Sequence, residues 1–207
     1  MRAMRFAIAA VLLAVTAGQT QAAFIVDTGI PTGSPKWTYN SFQYFAGEFS
    51  LSQSYTLDGI EAYFSSGGAG NVTIALHSDG GNIPGSILNS AVVSVPVNTG
   101  LGWHGVSGLS WNVSPGTYWV SFTPSSSIDG IMPGVAPSAL NEYAQGSAGV
   151  WQDEGANSFD YLGIGVRISA SQGGSTVTPE PTSLALAGFA GIGMAVGAWR
   201  RRRQQAA

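Results

Sequence analysis

Cysteine is absent from the 207 residues, which excludes a disulfide framework, thiol catalysis and cysteine-ligated metal. Histidine occurs twice, at His77 and His104, too few for a metal site built from several imidazoles, and there is no HExxH pair. No GxSxG turn is present, and the glycine runs near Gly67 and Gly80 precede no helix able to cradle a phosphate. Charge is scarce as well: 9% of the side chains are Asp, Glu, Lys or Arg. Of the basic residues, Arg2, Arg5 and Arg200–Arg203 lie near the ends, leaving Lys36 and Arg167 between residues 24 and 178, against ten acids. The formal charge of that body is −8, where the whole chain shows −3. A surface of this sign does not attract nucleic acid or anionic polysaccharide. Cations and neutral glycans remain as ligand classes.

What is present begins with the ends. Arg2 and Arg5 precede an apolar run from Phe6 to Ala17, followed by small and polar residues up to Ala22 and Ala23. That order predicts a secretory signal peptide over 1–22, forming a signal helix and cleaved after Ala22 or Ala23. The run is shorter than the roughly 20 residues that span a bilayer. At the other end, Pro179-Glu180-Pro181 precedes Leu184–Trp199, which carries no charge, and Arg200, Arg201, Arg202 and Arg203 follow. As a helix this stretch would be about 24 Å long, lengthened a little by Thr182 and Ser183. It is apolar all round, unlike a core helix with one polar face, so a transmembrane helix is expected over 182–199. Arginines beside such a helix stay cytoplasmic, which puts the body outside and residues 204–207 inside.

This Pro-Glu-Pro, apolar helix and arginine-cluster order resembles the PEP-CTERM sorting signal of Gram-negative bacteria. A eukaryotic lipid-anchor signal also ends in an apolar tail, but would not normally close on four arginines. The resemblance implies processing by exosortase, a membrane-embedded cysteine transpeptidase, with Pro179, Glu180 and Pro181 as recognition motif and Arg200–Arg203 as stop-transfer cluster. It also implies an inner-membrane intermediate, and then the cell envelope surface or an extracellular matrix that often contains polysaccharide.

The body alternates apolar and polar residues between turn signals, the pattern of short strands. Asn71–His77 puts Val72, Ile74 and Leu76 on one face, and Tyr161–Ile168 does so with Leu162, Ile164, Val166 and Ile168. Further strands are expected at Phe24–Asp27, Gln43–Phe49, Gln53–Leu57, Ile60–Phe64, Ala91–Val97, Gly102–Val106, Thr117–Thr123 and Gly149–Gln152. Ile128–Gln145 lacks alternation and reads as a long loop with a helical turn near Ser138–Tyr143, while 171–178 reads as a flexible linker. The fold class expected for 23–170 is all-β: an antiparallel, jelly-roll-like β-sandwich, with a closed barrel as the alternative. Leu76–Leu88 and Ser114–Val120 resemble motifs of bacterial choice-of-anchor surface domains, which implies a sandwich ectodomain and transfers no catalytic residue.

Candidate chemistry is thin. Asp58 and Glu61, or Asp153 and Glu154, could form the carboxylate pair of glycoside hydrolysis, or lie solvated at the surface. Asp79, in Ser78-Asp-Gly-Gly-Asn82, suits calcium or a tight turn. Trp37, Tyr39, Phe42, Tyr44 and Phe45 cluster early, and Trp103, Trp111, Tyr118, Trp119 and Trp151 are spread through the strands. Such rings fill cores or stack on sugars. Tyr118 and Trp119 must face opposite sides of their strand. Asn71 and Asn112 begin glycosylation sequons, for which a bacterial setting gives little support. No cofactor, metal or catalytic residue is expected. The reading is a non-enzymatic surface or matrix protein with a structural or adhesive role. A neutral-glycan-binding module of an exopolysaccharide matrix, or a carbohydrate-active enzyme, stand as alternatives.

Overall fold

A computed structural model of the chain describes residues 23–33, 36–154 and 162–172. Twelve strands make up its regular structure: β1 Ala23–Asp27, β2 Lys36–Asn40, β3 Tyr44–Leu51, β4 Tyr55–Ser66, β5 Gly70–Asp79, β6 Pro84–Val95, β7 Thr99–Val113, β8 Gly116–Pro124, β9 Asp129–Pro133, β10 Tyr143–Ser147, β11 Val150–Asp153 and β12 Val166–Gln172. They form two antiparallel sheets. The first runs β1-β12-β4-β9-β2, with β7 along the other side of β4, and the second runs β11-β10-β3-β8-β5-β6. Among the described residues each sheet has free edges, so the alternative of a closed barrel is corrected to an open sandwich.

The inward faces supply one core. Leu57, Ile60, Ala62, Phe64, Val166 and Ile168 of the first sheet meet Phe45, Phe49, Val72, Ile74, Leu76, Val120 and Phe122 of the second. Burying each large apolar side chain stabilises the fold by about 1.5–3 kcal/mol, so no disulfide is needed. A second, smaller cluster sits on the outer side of the second sheet. There Ala46 and Ala144, too small to fill the space above their strands, make room for Trp119, over which Ile83 and Trp151 pack.

The expected strands overlap observed ones, overrunning them by one or two residues at Gln43, Gln53, Val97 and Gly149, with five corrections. Gln53–Leu57 and Ile60–Phe64 belong to one strand, β4, whose register against β7 shifts between Leu57 and Gly59; the bulge re-phases the alternation and reads in sequence as a gap. Residues 162–165 are not strand, although Leu162 and Ile164 are buried. Their backbone serves other partners: Gly163 O accepts from Ala136 N at 2.7 Å and Gly165 O from Tyr63 N at 3.0 Å. The Ile128–Gln145 loop contains β9 and the start of β10, and the helical turn is absent. In its place Ser138 N donates to Thr28 O (2.9 Å), just past β1, and Asn141 N to Glu48 O (2.9 Å) of β3, so these groups bond to distant segments and not to each other. Lys36–Asn40, unassigned in the sequence, is the edge strand β2, paired with β9. The linker also starts later, because Ser171 and Gln172 pair with Thr56 and Tyr55.

Candidate functional site

On the outer side of the first sheet, cross-strand register gathers side chains from four strands. Arg167 lies opposite Glu61, and Glu61 opposite Gly105. Ser169 and Gly59 form the next row, with Ser107 beyond. The two glycines leave a depression of about 290 Å³ walled by Phe24, Asp58, Glu61, Ser107, Arg167 and Ser169. Gly105 is required here, since a Cβ would run into the Ile60 carbonyl and the Glu61 Cα.

Arg167 is the fixed member of this groove. Its Nε donates to Asp27 Oδ1 at 3.0 Å, and its guanidinium carbon stands 4.1 Å from the Trp103 ring centroid and 5.1 Å from that of Phe24. Trp103 is itself braced edge-on by Tyr63 at 5.2 Å. Such stacking holds a cation without a second carboxylate. An apolar ring, a cation, two carboxylates and two hydroxyls around one depression can both donate to and accept from a hydroxyl-rich ligand. Asp58 and Glu61, paired in the sequence reading, are thus brought to one groove. Asp153 and Glu154 lie far from it, at the end of β11, where Asp153 accepts from Asn82 Nδ2 at 3.0 Å. The roles of Arg167, Ser107 and Ser169 had no sequence signal, because they depend on which strands become neighbours.

A second arrangement needs weighing. His77 Nε2 and Ser121 Oγ are 2.9 Å apart, and His77 Nδ1 is 3.0 Å from Gly85 O. The carbonyl can only accept, so Nδ1 carries the proton and Nε2 accepts from the serine hydroxyl. A serine bonded to an oriented imidazole is the geometry of nucleophilic catalysis. Here, however, His77 is 4% and Ser121 1% exposed, and Trp151 stands edge-on over His77 at 6.2 Å. The pair satisfies two buried polar groups and gives no route to a substrate. Burial also pushes the His77 pKa down, partly offset by the Gly85 carbonyl.

The other candidates resolve as local structure. Asp79 Oδ1 accepts from Gly81 N at 2.8 Å, with Gly81 at φ 86°, which is a turn. Among the described residues no three His, Asp or Glu side chains gather closely enough to hold a metal ion. His104 meets Phe64 edge-on, ring centroids 4.9 Å apart, and its Nε2 lies 3.0 Å from Gly100 O. Gly100-Leu-Gly-Trp-His-Gly105 spells GxGxxG, but it lies within β7 and lacks the strand-to-helix turn of a dinucleotide site. Of the aromatic residues, Tyr39, Tyr44, Phe45 and Trp119 are buried and Phe42 is 75% exposed. Tyr118 packs with the main core beside Phe49, ring centroids 6.0 Å apart, and Trp119 points the other way into the outer cluster.

The two ends of the described chain leave the sandwich together. Ala23 pairs with Ala170, and Gln172 with Tyr55, beside a cavity of about 540 Å³ between Phe24, Leu51, Gln53 and Tyr55. The signal-peptide helix, the 182–199 helix, Pro179-Glu180-Pro181 and Arg200–Arg203 lie outside the described residues. Among the described residues no helix is long and apolar enough to cross a membrane. From Gln172 to Pro179 the chain can reach at most about 25 Å.

No curated protein and no solved structure matches this chain, so the choice-of-anchor resemblance rests on the β5–β6 hairpin and the β7–β8 turn alone. Residues 177–203 match the PEP-CTERM protein-sorting motif. The chain therefore carries a PEP-CTERM sorting signal, which implies exosortase as its processing partner and export as its route.

Proposed function

We propose that this is a non-enzymatic cell-surface or extracellular-matrix protein, released from an inner-membrane intermediate by exosortase, whose sandwich has a structural or adhesive role. The observation that carries the reading is the sorting motif over 177–203. It is supported by the run of signals on either side of the body: a signal-peptide pattern before it, and the Pro-Glu-Pro, apolar run and arginines after it. Replacing Pro179-Glu180-Pro181 by three alanines should leave a larger form in the inner-membrane fraction, seen as slower migration on an immunoblot. Normal size and release of that variant would remove the reading.

A second reading, a neutral-glycan-binding module of an exopolysaccharide matrix, is favoured by the groove between Phe24 and Arg167. A ring half exposed to solvent, Phe24 at 53%, next to carboxylates and hydroxyls suits the apolar face and the hydroxyl edge of a sugar. On this reading Phe24→Ala lowers affinity for a neutral polysaccharide about five-fold in affinity electrophoresis, one such ring contact being worth roughly 1 kcal/mol. Absence of retardation by every neutral glycan in a panel would discard it.

A further inference from the structure

Free sheet edges attract other strands, and proteins ordinarily guard them with charge or proline. Three of the edges here are guarded: β1 carries Asp27, β2 carries Lys36 and β11 carries Asp153. Among the described residues the other two, β6 and β7, pair on one side only and are also the long ones, 12 and 15 residues. Neither holds a charge, and residues 80–128 contain no Asp, Glu, Lys or Arg at all. Five of the nine exposed large apolar side chains among the described residues belong to this flank: Ile87, Leu88, Val92, Val97 and Leu101. No bulge or charged neighbour interrupts β6 between Asn89 and Val95, where its pairing with β5 is regular.

We infer that the β6 edge is the surface through which a second copy of this chain docks, strand to strand. The charge distribution selects the partner. Two bodies of charge −8 repel across their acidic faces, and the uncharged flank is where they can approach without that cost. A cationic partner would choose the acidic faces instead. A two-fold axis beside β6 sets it antiparallel to itself, the arrangement every described strand pair uses. Unpaired N–H and C=O groups of both edges are then satisfied, and Val92 with its neighbours is covered. The inference stands on the sandwich and not on the sorting route.

The test uses the full chain, which is free of cysteine. Single cysteines replace Ser90, Val92 or Ser94, alternate exposed positions of β6, in cells producing the chain. Val150 on β11, as exposed (63%) as Val92 (60%), is the control. After mild oxidation, non-reducing electrophoresis should show at least one β6 position giving ten-fold or more homodimer than Val150→Cys. Adding Ile87→Lys should return that position to the control level. Dimer yield should rise with salt, because the long-range term it screens is repulsive. Precursor and processed forms are counted alike, so a failure of sorting leaves this readout intact. The inference is overturned if β6 cysteines link no better than Val150→Cys, link only to other proteins, or lose yield as salt rises. The comparison between edges decides the matter even if Ile87→Lys fails to fold.

Discussion

A buried histidine ties the outer cluster of the second sheet to pH. The His77 pKa is depressed in the fold by burial, while the unfolded chain takes up a proton near pH 6.5. As pH falls below that value the unfolded state binds more protons than the folded one, so stability present at pH 7 is progressively lost down to the folded-state pKa. Glu48 works in the opposite sense: burial raises its carboxyl, so its charged form weakens the fold at neutral pH and acid relieves it. A urea midpoint measured between pH 7 and 5 should therefore fall less steeply in His77→Gln than in the parent. Equal slopes would show that His77 is not the group responsible. Sequence placed His77 at a strand end but not under Trp151, because the covering residue is 74 positions away and arrives through strand order.

At the scale of elements, alternation revealed the central strands, divided the bulged β4 and missed the short strands β2, β9 and β10. Asn71–His77 and Thr117–Thr123 lie in β5 and β8, central strands with a regular pattern. The β4 bulge divided one strand in two, and β9 is short and carries Gly130, whose Cβ would strike the Ser65 carbonyl. The β10–β11 hairpin shows why such short pieces matter. It lays Trp151 edge-on against Tyr44 at 5.2 Å and next to Trp119, and Asp153 links it to the β5–β6 turn through Asn82. Trp151→Ala should cost about 2–4 kcal/mol, a little below the range for fully buried aromatic residues because Trp151 is half-buried. Acrylamide should then quench the fluorescence of Trp119, which is 0% exposed in the parent. Unchanged quenching would mean that the cover is held by Ile83 and the turn.

The molecule as a whole was legible in unequal parts. The sorting motif is local in sequence, so it could be read without a fold, and the two-sheet class followed from strand number and turn spacing. The groove and the uncharged flank are products of topology: Phe24, Glu61, Gly105 and Arg167 meet only because β1, β12, β4 and β7 become neighbours. The same neighbourhood predicts where folding completes. A chain stopped after Glu154 lacks β12, leaving β1 without a partner and Tyr55–Ala62 of β4 unpaired on that side. It should be digested by thermolysin, and one extended to Gln172 should resist. Resistance of the shorter chain would show that the second sheet and β7 suffice for a stable core.

The pairing of β1 with β12 also sets a clock. Asp27 and Arg167, joined by an ion pair, are separated by 140 positions. At a synthesis rate of about 5–20 residues per second, β1 waits roughly 7–28 s for the strand that will hold it. During that interval the nascent chain presents an open template, and the last segment made before the tail is the one that closes it. The sandwich thus closes only a few residues before the sorting motif at 177–203 is made.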